Sequence, residues 1–202
     1  MQSGTRILAG ALAVALVGGL TAAAVSRAET AAPAVSYTAD GKLNYPKDYR
    51  TWVYLSSGMD MSYAERTGDV NQHVFDNVFV NRAAYDAYQK TGTWPDKTIF
   101  MLEVRRAGSR GSINKAGLYQ TEVGGAEAHV KDKRFSSGWA FFPFNSAAPS
   151  TALAQTSQCN QCHEKHGAVD TTFVQFYPTL MPKAQEMKTL AAAYLAEEKG
   201  GQ

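Results

Sequence analysis

Thr98-Ile99-Phe100-Met101-Leu102-Glu103-Val104 is the strongest strand in this chain, apolar on both faces until Glu103. Working outward, His73-Val74-Phe75-Asp76-Asn77-Val78-Phe79-Val80 is β-branched and aromatic, with Val74, Val78 and Val80 on one face and Phe75 and Phe79 on the other. Thr51 to Leu55, Leu118 to Val123 and Trp139 to Phe144 supply further strands, the last two separated by Gly124-Gly125 and the polar run Lys131 to Arg134. Between strands, Asn81 caps a short helix through Lys90, Tyr85 and Tyr88 sit at i, i+3, and Gly92 closes it. A period of two through this region excludes a four-helix bundle.

After Asn145 the texture changes. A helix is expected from about Ser150, then an extended piece from Thr172 to Tyr177, then a helix from Lys183 to Glu198. The expected fold is α+β: an antiparallel β-sheet domain with flanking helices and a C-terminal helical segment.

That segment carries Cys159-Asn160-Gln161-Cys162-His163, which holds both cysteines of the chain. CxxCH is the attachment signature of c-type haem. Two thiols three positions apart each form a thioether with a haem vinyl, and the next residue, His163, is carried under the ring to ligate iron. One covalent haem c is therefore the expected cofactor. A zinc knuckle could use Cys159, Cys162, His163 and His166, but structural zinc sites separate their ligand pairs more widely. A thioredoxin-like dithiol would follow a strand in a βαβ unit, which is not what precedes Gln155.

Arg6, the apolar run from Ile7 to Val25 and Ser26-Arg27-Ala28 read as a secretory leader, or as an uncleaved N-terminal anchor, over residues 1–28. Residues 29–44 read as a flexible spacer and 45–202 as the haem domain. The protein is expected to be periplasmic or secreted. Losing Arg6 and Arg27 takes the formal charge from +2 to 0, and no polybasic run remains to suggest nucleic acid.

The late CxxCH behind a strand-rich domain resembles the cytochrome P-460 and cytochrome c′-beta family. The resemblance is carried, in family order, by Tyr45-Pro46-Lys47-Asp48-Tyr49-Arg50-Thr51-Trp52-Val53, Val78-Phe79-Val80, Gln89 to Asp96, Glu127 to Asp132, Arg134-Phe135, Gly138-Trp139-Ala140-Phe141, the CxxCH and Phe173 to Pro178. It implies a β-sheet domain with flanking helices, usually a homodimer, with one five-coordinate haem whose distal side is open. In cytochrome P-460 proper a strand lysine is cross-linked to the haem and hydroxylamine is oxidised, whereas c′-beta members lack the bond and bind nitric oxide or other small gases. The lysine position falls here at Leu102, which has no nucleophile, and Lys97 lies five residues back, an odd offset.

If Leu102 faces the ring, Phe100 and Val104 face it too, giving an apolar distal lining; for Phe100 plain core packing is the competing use. The family's distal carboxylate, which handles protons in the enzymes, maps onto Glu127, and an arginine of an earlier strand is replaced by Asp76. Glu127 reads either as a general base beside the haem or as a solvated loop residue next to glycines. His73 and His129 are candidate distal ligands or ordinary histidines, His166 a solvated or propionate-side residue. Met59, Met61 and Met101 are the upstream thioethers; Arg105, Arg106, Arg110 and Lys115 read as a solvated strand end and loop.

Three functions compete. The first is a binding protein for nitric oxide or another small ligand. The second is an oxidoreductase acting on hydroxylamine, a nitrogen oxide or peroxide. The third is a six-coordinate electron carrier with a redox partner that the sequence does not identify.

Overall fold

The computed structural model describes residues 33–62 and 72–200. Among the described residues, five antiparallel strands form one sheet in chain order: β1 (Val53–Met59), β2 (Val74–Val80), β3 (Ile99–Gly108), β4 (Tyr119–Lys131) and β5 (Trp139–Phe144). Within the same residues four helices accompany it: α1 (Arg82–Thr91) between β2 and β3, and α2 (Gln158–His166), α3 (Met181–Met187) and α4 (Ala192–Gly200) after β5. The fold is the expected α+β, and β3 is the central strand.

Strand alternation makes β3 apolar on both faces because each face has its own cover. Ile99 and Met101 point into one core with Leu43, Tyr49, Ala128, Val130, Ala140 and Phe142. Phe100 points the other way, into a core with Tyr88, Trp94, Trp139, Val174, Tyr177 and Leu180 under the helices. Glu103 interrupts the first face, 2% exposed, and is fully partnered there: Tyr49, Arg50 and Arg105 donate to its carboxylate, Arg50 Nε at 2.8 Å and Arg105 Nε at 2.5 Å. Burial alone would raise its pKa, but these donors outweigh burial and hold the carboxyl low. Arg105 is thus a buried-pair partner and not a solvated strand end.

Several local expectations are corrected. Part of the presumed spacer is packed: Leu43 is completely buried and bridges Tyr37 and Ser150, while the Tyr37 hydroxyl donates to Asp132 at 2.9 Å. Burying a leucine is worth about 2 kcal/mol, enough to hold the segment down. Gly124 and Gly125 do not end a strand, because β4 runs through both, Gly125 pairing with Val104 and the register shifting at Gly124 before Val123 pairs with Arg105. Ser150 lies in an extended bridge and helix α2 starts at Gln158, where the Ser157 hydroxyl accepts from Asn160 N at 3.4 Å. Residues 174–176 form a 3-10 turn, not a strand, and the last helical stretch breaks after Met187, with Lys188 in the left-handed conformation at φ 58°. The expected α1 forms, closed by Gly92 at φ 69°, but Asn81 uses its side-chain oxygen on Ile99 N (3.0 Å) across to β3.

No helix among the described residues is long and apolar enough to cross a membrane, and the leader read at residues 1–28 lies outside them.

Candidate functional site

Register places the site on the helix-facing side of the sheet. One cross-strand row runs Phe141, His129, Phe100, Val80; the next runs Glu127, Leu102, Val78, Ser56; the third holds Val104, Asp76 and Gly58. Leu102 and Glu127 are direct partners, so their side chains leave the sheet side by side. A cavity of about 370 Å³ lies over these rows, with Phe100, Leu102, Asp76 and Glu127 in its lining.

Helix α2 closes the cavity from above. Positions i, i+3 and i+4 fall on one helical face, and Cys159, Cys162 and His163 accordingly all reach the cavity. Both thiols are unpaired. The Cys159 thiol is pushed up by burial and by the nearby Glu127 carboxylate.

His163 is held on every side. Its ring sits 4.0 Å from that of Phe173, 4.7 Å from Phe141 and 4.9 Å from His129, centroid to centroid. Its Nδ1 donates to the Thr171 carbonyl at 2.8 Å, which fixes the tautomer and leaves the Nε2 lone pair for a metal. Burial lowers its pKa to about 4 against the opposing pull of the Thr171 bond, so the imidazole is neutral at physiological pH, as a ligand must be.

The carbonyl that orients His163 belongs to a strained turn. Asp170 and Thr171 have φ of 49° and 62°, a left-handed conformation costing roughly 1–2 kcal/mol per residue without glycine. The turn is pinned from outside: Lys131 pairs with Asp170, Trp139 Nε1 donates to Asp170 at 3.3 Å, and Trp94 Nε1 donates to Thr172 Oγ1 at 2.9 Å. Gly167 lets α2 and the turn meet, since a Cβ there would lie 2.6 Å from both the His163 carbonyl oxygen and the Thr171 carbonyl carbon. Sequence reading missed Gly167, Lys131, Asp170 and Thr171 as site residues. The glycine after CHEKH was the one visible signal, and its φ of −66° shows that it serves close approach, not a left-handed cap.

Of the two carboxylates on the floor, Glu127 lies on β4 and not in a solvated loop; burial and the charge of Asp76 raise its pKa. Asp76 is raised by burial and by Asp60. His129 does not face His163 across the cavity but packs beside it, stacked on Phe141 at 3.9 Å, which removes it as a distal ligand. It is 7% exposed, its pKa is pulled well down by burial and then by His163, and its Nε2 has no hydrogen-bond partner. His73 is engaged with Asp60 at 2.5 Å and His166 with Glu197 at 2.8 Å. Met101 is buried in the opposite core, Met59 is exposed, and Met61 folds over Gly58 into the cavity lining. Phe100 does both things expected of it, packing at 4.8 Å against Trp94 and lining the cavity. Among the described residues no three His, Cys, Asp or Glu side chains converge as a metal cage.

No curated protein sequence matches the chain. The family model for cytochrome P460 matches residues 46–174, more than half of the chain, from the turn before β1 through α2 to the 3-10 turn. The donor set fits haem: a neutral imidazole with its Nε2 free, and two unpaired thiols beside it on the wall of an apolar-walled cavity. The chain belongs to the cytochrome P460 family, and its cofactor is haem.

Proposed function

We propose that this is an exported mono-haem c-type cytochrome, with one haem attached through Cys159 and Cys162, His163 as axial ligand, and a distal site open to nitric oxide or another small ligand. The observation that carries the reading is Leu102 on the cavity floor, where the cross-linking members of the family place a lysine. Haem iron supplies the coordination site and a one-electron couple. The chain's residues do the rest. Thr171 orients His163; Phe100, Leu102 and Val78 give the distal side an apolar surface; the row Glu127, Leu102, Val78, Ser56 brings no imidazole or amine to it. Export is supported by the leader at residues 1–28 and agrees with thioether attachment outside the cytoplasm. A homodimer is part of the proposal, supported by exposed Ile113, Leu118, Tyr119 and Val123 around the β3–β4 hairpin and tested by light scattering on purified protein.

A second reading, oxidation of hydroxylamine or conversion of a nitrogen oxide, is favoured by Glu127, a half-buried carboxyl with a raised pKa that is suited to proton transfer. The ferrous absorption spectrum separates the readings. A high-spin spectrum that changes on adding nitric oxide supports the first, and a strongly red-shifted band means a haem cross-link. Sharp low-spin bands mean a sixth ligand from the protein, with the Met61 thioether the side chain to replace.

A further inference from the structure

The cavity floor carries two carboxylates and, among the described residues, its lining contains no lysine or arginine. Asp76 on β2 and Glu127 on β4 stand diagonally across Leu102 and Val104 of β3, all on one face. Neither carboxylate has an ion-pair or hydrogen-bond partner among the described residues, unlike Glu103 on the opposite face, which accepts from Tyr49, Arg50, Arg105 and Asn77.

Cavities lined by one sign of charge with apolar walls focus the field, and a like charge entering one is repelled over several ångströms. We propose that Asp76 and Glu127 make the distal site select its ligands by charge: it admits neutral or protonated small molecules, such as nitric oxide or hydroxylamine, and turns away small anions such as azide and nitrite. This rests on the distal-site reading above and deepens it, because size alone would not separate azide from a neutral triatomic. Leu102 and Phe100 do not discriminate by charge; the two acids do.

The test compares azide with nitric oxide on the haem-loaded ferric protein at neutral pH, by optical titration of wild type, Asp76→Asn, Glu127→Gln and the double variant. Each substitution is isosteric. The expected result is azide affinity rising about tenfold with each single substitution, and further in the double, while nitric oxide affinity moves less than threefold. Unchanged azide affinity in the double variant overturns the charge selection. A wild-type measurement guards against variants that do not fold: azide association should speed up with added salt, as for two like charges, and a flat or falling dependence overturns the proposal equally. If nitric oxide leaves the spectrum of wild type unaltered, the open distal site itself fails, a different outcome from nitric oxide binding without discrimination against azide.

Discussion

Leu102 and Glu127 are paired residues on adjacent strands, both turned into the cavity that Cys159, Cys162 and His163 close from the other side. An apolar side chain thus stands on the cavity floor with a carboxyl beside it. This pairing makes the cavity floor directly testable.

Leu102→Lys introduces an amine beside Glu127 on that floor. The ferrous spectrum and the response to nitric oxide should both change, through ligation, cross-linking or a new ion pair with Glu127. Identical spectra and gas binding in the variant would mean that residue 102 does not face the ring.

Cys159→Ala combined with Cys162→Ala removes both thioether positions and leaves His163 in place. Denaturing mass spectrometry of protein exported with its haem should give the mass of chain plus haem for wild type and the bare chain for the double variant. Wild type arriving at the bare-chain mass would refute covalent attachment.

Gly167→Ala forces a Cβ to within 2.6 Å of two backbone atoms that cannot swing away. A stability loss of about 2 kcal/mol is expected, measured by chemical denaturation. Because the turn must shift, the His163–Thr171 bond weakens; with His163 as the proposed iron ligand, the imidazole should donate less to iron and the reduction potential should move positive. A potential equal to wild type would argue against Thr171 as the orienting group.

Glu103→Gln breaks the buried cluster with Tyr49, Arg50 and Arg105, and should cost about 3 kcal/mol at pH 7. The folded carboxyl titrates below its unfolded value of about 4.3, so its contribution is complete above that pH and disappears as pH falls through the lower folded value. Thermal melts of the two proteins should therefore lie far apart at pH 7 and converge in acid.

Leu43→Ala probes the segment that composition reads as spacer. Full burial predicts a loss of about 3 kcal/mol, seen as a lowered denaturation midpoint. A loss near zero would restore the spacer reading for residues 36–44.

The sequence alone settled what chemistry is local. CxxCH needs only neighbouring positions on one helical turn, and the period of two through β2 and β3 needs only the alternation of a strand, so the helix that carries the CxxCH, the α+β class and the common face of Phe100 and Leu102 were all legible. What it could not carry was anything that depends on which strand lies beside which. Glu127 joined the cavity only because β4 pairs Glu127 with Leu102 and Gly125 with Val104, the register shifting only beyond them. His129 turned from candidate ligand into a neighbour of His163 only because its row is the one under Phe141. Thr171 became the group that orients the His163 imidazole through a left-handed turn pinned by Lys131, Trp139 and Trp94 from other parts of the chain. Left-handed backbone at Asp170 and Thr171 has no local sequence signature, since it is imposed by distant partners whose combined hydrogen bonds outweigh the strain.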